Sequence, residues 1–248
     1  MTQKIRVLVN GAKGKMGSEA VRAVGGAEDM EIVAQTDMGD DLAATIKSSN
    51  ADVVVDLTAP SCAYANANAI IESGAGGVIG TTGFTTENIQ DLTRKCGGRT
   101  PAVLIAPNFS IGAVLMMHCS QIIGRYMPDV EIIELHHPAK LDAPSGTAVK
   151  TAQLIAESRG KGNVPRGTSE PAARGERFSD IPIHSVRLPG LLAHQAVIFG
   201  GEGQTLTLRH DSLNRGCFMP GVLLGIREVV KRSGLIYGLD NLLFSNPE

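Results

Sequence analysis

Short branched apolar runs alternate with amphipathic stretches through the first hundred residues. Ile5-Arg-Val-Leu-Val9, Glu31-Ile-Val-Ala-Gln-Thr36, Asp52-Val-Val-Val-Asp56, Gly77-Val-Ile-Gly80 and Ala102-Val-Leu-Ile-Ala106 predict five strands. The run Val53–Val55 is continuously apolar, as in a parallel sheet buried on both faces. Between the strands, Ser18–Val24, Asp40–Ser48, Ser61–Ser73 and Thr86–Cys96 predict helices. Ser61 behind Pro60 is expected to cap the third, and Glu87 in the first turn of the fourth suits the helix dipole. Strands alternating with helices predict right-handed crossovers and a parallel sheet.

The pattern changes after a long apolar helix, Ile111–Tyr126, and Pro128. A strand, Val130–Leu135, precedes a helix from Ala148 to about Ser158. Arg159–Asp180, rich in Gly, Pro, Arg and Glu, reads as the least ordered loop. Ile183–Arg187, Ala196–Phe199 and Thr205–Arg209 then follow as strands joined by glycine-containing turns, with a hairpin at Gly200-Gly-Glu-Gly203. Turns in place of helices predict a mixed or antiparallel sheet. Pro220 opens a last helix whose Val222, Leu223, Ile226, Val229 and Val230 share one face, and Gly234 is expected to stop it. This divides the chain into a first domain over 1–107, a second over 108–216, and a helix and tail over 217–248 that returns to the first.

The 248 residues suffice for one large or two modest domains, and 43% hydrophobic with 19% charged residues describes a globular protein. A net charge of -2 leaves no electrostatic footprint for nucleic acid or an anionic membrane. Cys62, Cys96, Cys119 and Cys217 follow no metal-ligand spacing, so no metal is expected and the thiols read as reduced. The N-terminus runs directly into a strand rather than a signal-peptide core. No apolar stretch reaches the roughly 18 residues of a spanning helix. Ala102–Met117, the longest candidate, is broken by Pro107-Asn108. These features read as a cytoplasmic protein.

Between the first strand and helix, glycines fall at Gly11, Gly14 and Gly17. Such a trio lets backbone approach a pyrophosphate and seats that anion on a helix N-terminus. Asp37 ends the second strand, where a dinucleotide fold places the acid that binds the adenosine ribose. The loops Gly80–Phe84 and Ala106–Ser110 follow later strands, so both are expected to line the cofactor crevice. Thr81 and Thr82 would serve equally in ordinary turns. The first domain is therefore expected to be a Rossmann-like α/β unit, followed by an α+β mixed-sheet domain.

The second concentration of chemistry is Glu134-Leu-His-His-Pro-Ala-Lys-Leu-Asp-Ala-Pro-Ser-Gly-Thr147. Lys140 and a helix opened by Ser145-Gly146-Thr147 would seat a carboxylate, and His136 or His137 would exchange a proton near neutral pH. Ser145 or Thr147 would also serve as a plain helix cap, and one histidine as a packed strand residue. Adjacent side chains on opposite faces make a zinc site a poor fit.

This stretch closely resembles the signature of the 4-hydroxy-tetrahydrodipicolinate (dihydrodipicolinate) reductase family. The resemblance extends to Gly11–Gly17, Val78-Ile-Gly-Thr-Thr-Gly-Phe84, Ala106-Pro-Asn-Phe-Ser110 and Arg209-His-Asp-Ser212. It implies an NAD(P)H-dependent reduction, in lysine and diaminopimelate biosynthesis, of a cyclic unsaturated imine dicarboxylate to tetrahydrodipicolinate. It also implies that His136 donates the proton with help from Lys140, while His137, Gly146 and Thr147 contact substrate. Cofactor contacts would come from Gly11, Ala12, Lys13, Gly14, Lys15, Met16, Asp37, Gly80, Thr81, Thr82, Ala106, Pro107, Asn108 and Phe109. Members of the family are usually homotetramers joined through the second domain's sheet, and hinge closure would bring cofactor and acid together.

Two substrate carboxylates would explain why Lys140 and the helix opened by Ser145 converge. Arg215, placed at the end of the last strand, is a further carboxylate candidate or a surface charge. Family members that use NADPH well often carry arginine after the ribose-binding acid. Here Met38 follows Asp37, so NADH is expected to serve at least as well as NADPH, with Lys13 and Lys15 acting the other way. Two other readings keep the glycine loop: a reductase for another carbonyl or imine, and a dinucleotide sensor without turnover.

Overall fold

The computed structural model describes residues 3–159 and 172–244. These residues form two compact units, the first from residues 1–111 and 215–248 and the second from 112–214. The first begins β1 (Ile5–Asn10), α1 (Gly17–Gly25), β2 (Met30–Thr36), α2 (Leu42–Ser49), β3 (Val53–Asp56), α3 (Pro60–Ser73), β4 (Gly76–Ile79), α4 (Thr86–Cys96) and β5 (Val103–Ile105). The chain then enters the second unit with α5 (Ile111–Ile123), β6 (Asp129–His136), α6 (Gly146–Arg159), β7 (Glu176–Phe178), β8 (Ile181–Arg187), β9 (Ala193–Gly201) and β10 (Gln204–Ser212). A short turn of 3₁₀ helix, Arg215–Phe218, leads to α7 (Met219–Val229), β11 (Leu235–Tyr237) and α8 (Leu239–Phe244), which complete the first unit.

The first sheet is six-stranded and parallel, in the order β11-β5-β4-β3-β1-β2. The order reverses between β1 and β3, and ligands of such sheets bind at that switch, outside the strand carboxyl ends. Val7, Leu8 and Val9 of β1 and Val53, Val54 and Val55 of β3 are all fully buried. Burial on both faces explains why these strands read as unbroken apolar runs. Thr85 and Asn88 form a reciprocal capping box at the start of α4. For α3 the expected Ser61 cap is not made: the helix begins at Pro60, and Ala59 stands at the cap without a side-chain bond. Proline in the first turn needs no N–H partner there.

Helix α7 packs by its small residues as well as its large ones. A Cβ on Gly221 would lie 2.1 Å from the Phe109 carbonyl oxygen, and one on Gly225 3.0 Å from Leu104. Val222, Ile226 and Val229 are buried as expected, whereas Leu223 and Val230 are only half-buried. The helix ends at Val229, and Gly234 instead turns the chain into β11. That three-residue strand, paired with β5, was not expected from the pattern.

The second sheet is mixed, in the order β10-β9-β6-β8-β7, with β6 at its centre. β6 runs parallel to β8 and antiparallel to β9. Val130 and Ile132 of β6 point into a core with Ala148, Ala152 and Ile155 of α6 and Ile183, Val197 and Phe199 of the neighbouring strands. The loop expected over Arg159–Asp180 contains a 3₁₀ turn (Ala172–Arg174) and β7; its portion 160–171 lies outside the described residues. Among the described residues no helix is long and apolar enough to cross a membrane.

Candidate active site

Two separate constructions carry the chemistry, one in each unit. In the first, β1 ends in a glycine turn that only glycine can build. Gly11 takes φ 78°, and a Cβ on Gly17 would lie 1.9 Å from the Gly11 carbonyl oxygen. The loop's backbone is thereby free to approach an anion at the start of α1. Lys13 N–H donates to Asp37 Oδ2 at 2.8 Å, tying the loop to the acid that follows β2. Met38 N–H holds the other oxygen at 2.8 Å. Backbone donors at Met38 and Lys13 hold the Asp37 carboxyl below its usual range.

The loops after β3 and β4 meet this turn. A Cβ on Gly11 would crowd the Leu57 carbonyl, and one on Gly80 would crowd both Leu57 and Phe109. Gly11 and Gly80 thus both abut Leu57, and Gly80 also abuts Phe109. Asp56, fully buried at the end of β3, was missed by the sequence reading. Its Oδ1 accepts from Thr58 N–H and from the hydroxyls of Thr58 and Thr81. The Thr81 hydroxyl is thus occupied inside the protein, while Thr82, Pro107, Lys13, Gly14 and Lys15 are exposed and Met16 and Asn108 half-buried. Ala12, Ala106 and Phe109 are buried.

In the second unit the alternation of β6 carries a carboxylate where a core residue should stand. Val130, Ile132 and Glu134 share the inward face, and Glu134 is 0% exposed. His136, next on that face, donates from Nδ1 to Glu134 Oε2 at 2.5 Å. Arg187, opposite His136 in the β6–β8 register, clamps the same carboxylate from Nη2 to Oε1 at 2.8 Å and from Nη1 to Oε2 at 2.9 Å. Ser145 N–H adds a bond to Oε1 at 3.3 Å. Burial pushes the Glu134 carboxyl up, but bonds from His136, Arg187 and Ser185 outweigh it and hold it at about 2.

The residues after β6 bring an ammonium and a helix N-terminus onto a carboxylate that the sequence reading did not single out, Asp142. Lys140 Nζ donates to both oxygens of Asp142, at 2.7 and 2.8 Å. Lys140 and the backbone N–H of Gly146 help hold the Asp142 carboxyl below its usual range. A carboxylate of the chain itself thus rests on the lysine and the helix terminus. The Ser145 hydroxyl is buried and accepts from Ala148 N–H at 3.3 Å, so its side chain caps α6. Gly146 is exposed, Thr147 and His137 are half-buried, and a Cβ on Gly146 would meet open space. Arg215 is not at a strand end: β10 stops at Ser212, and Arg215 opens the 3₁₀ turn of the first unit. Among the described residues no cluster of three or more His, Cys, Asp or Glu is placed to hold a metal.

Glu134 and Arg187, like Asp56, are residues to which the sequence reading gave no role. Glu134 had a signal, its position two residues after Ile132 in an inward-facing series. Arg187 had none, because its partner is set by strand pairing.

Comparison with known proteins gives a consistent picture. Residues 5–109 match the family model described as dihydrodipicolinate reductase, N-terminus, and residues 112–243 the one described as dihydrodipicolinate reductase, C-terminus. A 4-hydroxy-tetrahydrodipicolinate reductase from Coxiella burnetii is 51% identical over 240 residues, covering 96% of this chain and 99% of that one. One from Streptomyces coelicolor is 52% identical over 249 residues, covering 98% and 99%. A dipicolinate-bound dihydrodipicolinate reductase from Paenisporosarcina sp. TG-14 superposes with a TM-score of 0.85 at 44% identity, covering 97% of this chain and all of that one.

Proposed function

The chain belongs to the dihydrodipicolinate reductase family, and from that premise we propose that it reduces 4-hydroxy-tetrahydrodipicolinate, by way of dihydrodipicolinate, to tetrahydrodipicolinate in lysine and diaminopimelate biosynthesis, with His136 as the proton donor. The observation that carries the residue assignment is the bond from His136 Nδ1 to a buried, ionised Glu134. It leaves Nε2 as the nitrogen that can face a substrate.

The glycine cradle, the Lys13–Asp37 bond and the converging Gly80 and Phe109 fit a dinucleotide. Bound there, reduced nicotinamide supplies a hydride. The remaining tasks fall to the protein. Lys140 and the N-terminus of α6 take one substrate carboxylate, which replaces Asp142 on the ammonium. His137, Gly146 and Thr147 line that seat. His136 delivers its Nε2 proton to the carbon that gains electron density beside the reduced centre. Acid catalysis of this kind is worth about 10²–10⁴-fold in rate.

NADH and NADPH are both assigned as coenzymes, NADH at least as effective, because Asp37 opposes a 2′-phosphate and Met38 offers it no charge. We also assign a homotetramer joined through the second sheet, whose outward face presents half-buried Ile133, Leu135, Val186 and Ile198. The four free thiols suit a reducing compartment, the cytoplasm.

The test is a coupled assay in which the substrate is generated enzymatically and NADH oxidation is followed by absorbance. His136→Ala should lower kcat by about 10²-fold or more and leave NADH affinity nearly unchanged. Near wild-type turnover would move the donor role to His137 or Lys140.

A further inference from the structure

We propose that Glu134 and Arg187 are positioning residues that fix the orientation and protonation of His136, so that its Nε2 proton, and no other, is presented to the substrate. The inference rests on the reading of His136 as the proton donor.

An isolated carboxylate in a β-sheet core is costly, and an apolar residue at position 134 would continue the Val130, Ile132 series at no such cost. Its burial needs an account, and the geometry supplies one. An ionised carboxylate only accepts hydrogen bonds. The 2.5 Å contact therefore places a hydrogen on His136 Nδ1 and leaves Nε2 to carry the transferable proton. When Nε2–H gives its proton to the substrate carbon, the N–H bonding pair stays on Nε2. The carbon's own electron pair forms the new C–H bond. Nδ1–H remains on Glu134 throughout, and solvent restores the imidazolium.

Arg187 decides where that proton rests between turnovers. Burial alone would favour a protonated Glu134, which would then compete with His136 for the proton. Two guanidinium bonds at 2.8 and 2.9 Å keep the carboxylate charged. The same guanidinium donates to the Val186 carbonyl at 2.8 Å and the Asp142 carbonyl at 2.7 Å. It therefore ties the donor to the segment bearing Lys140 and Asp142. One side chain thus sets the distance between the acid and the anion seat.

The experiment compares kcat, KM and NADH affinity for Glu134→Gln, for the charge-free pair Glu134→Gln/Arg187→Met, for His136→Ala, and for Glu134→Gln combined with His136→Ala. The charge-free pair leaves no unpaired ion in the core and so guards against simple misfolding. In folded enzyme, kcat should fall about tenfold or more while KM and NADH affinity change by less than about threefold, as expected when a reacting group is misplaced. On the His136→Ala background, Glu134→Gln should cost less than about twofold further, because the two act as one unit. Wild-type protein labelled with ¹⁵N-histidine should show neutral His136 as the Nδ1–H tautomer. An Nε2–H tautomer, an additive loss on the His136→Ala background, or an unchanged kcat in the charge-free pair beside a crippled His136→Ala enzyme would overturn this proposal alone. A fully active His136→Ala enzyme would overturn the donor assignment and this proposal together.

Discussion

Met38 stands 99% exposed beside Asp37, both of whose oxygens are engaged by backbone N–H groups of Lys13 and of Met38 itself. The acid is thus fixed in place, and on the proposed reading coenzyme choice turns on the side chain next to it. Met38→Arg should raise kcat/KM with NADPH relative to NADH, measured at one ionic strength because salt screens a phosphate contact. A wild-type preference for NADPH above about tenfold would show that Lys13 and Lys15 dominate instead. Glu134 makes the second prediction at this scale. Its carboxyl is depressed from 4.5 to about 2 in the folded chain, so between those values the unfolded state binds more protons. The stability it contributes is complete above about pH 4.5 and is lost as pH falls towards 2. Denaturation midpoints between about pH 5.5 and about 2.5 should fall more steeply for wild type than for Glu134→Gln. Equal slopes would place the low-pH instability elsewhere. The sequence named His136 and Lys140 because an imidazole and an ammonium are conspicuous. It could not name Asp142 as the partner of Lys140 or Arg187 as that of Glu134, since backbone path and strand register choose those pairs.

At the level of elements, what decides the nucleotide turn is the absence of side chains. Gly17→Ala would drive a Cβ into the Gly11 carbonyl at 1.9 Å, and backbone at the head of α1 would have to shift. The variant should lose at least about tenfold in NADH affinity by fluorescence titration, an amount equivalent to about 1.4 kcal/mol. Unchanged affinity would mean that the turn does not carry the pyrophosphate. Elements marked by an unbroken apolar run between turn signals or by repeated helical periodicity were legible: β1 to β5, α4 and α6 lie within a few residues of their expected bounds. β7 and β11 were not, because each owes its existence to a neighbour, β8 or β5. The same holds for the close face of α7. Gly221 and Gly225 carry no hydropathy signal, yet they set how near the helix lies to Phe109 and Leu104.

For the whole molecule, the notable fact is that the first unit is not continuous in sequence. Its sheet is completed by β11, and α7 packs against β3, β4 and β5, yet both come after the entire second unit in the chain. A chain ending at Asn214 should therefore fail to bind NADH although it contains the glycine loop and Asp37. Binding at wild-type affinity would show that the first five strands suffice. A ribosome makes the chain from its N-terminus, and every residue of the second unit leaves it before the last strand and helix of the first. The second unit is thus synthesised whole before the first can complete its sheet, and a nascent chain carries the proposed proton donor before it can hold the proposed reductant.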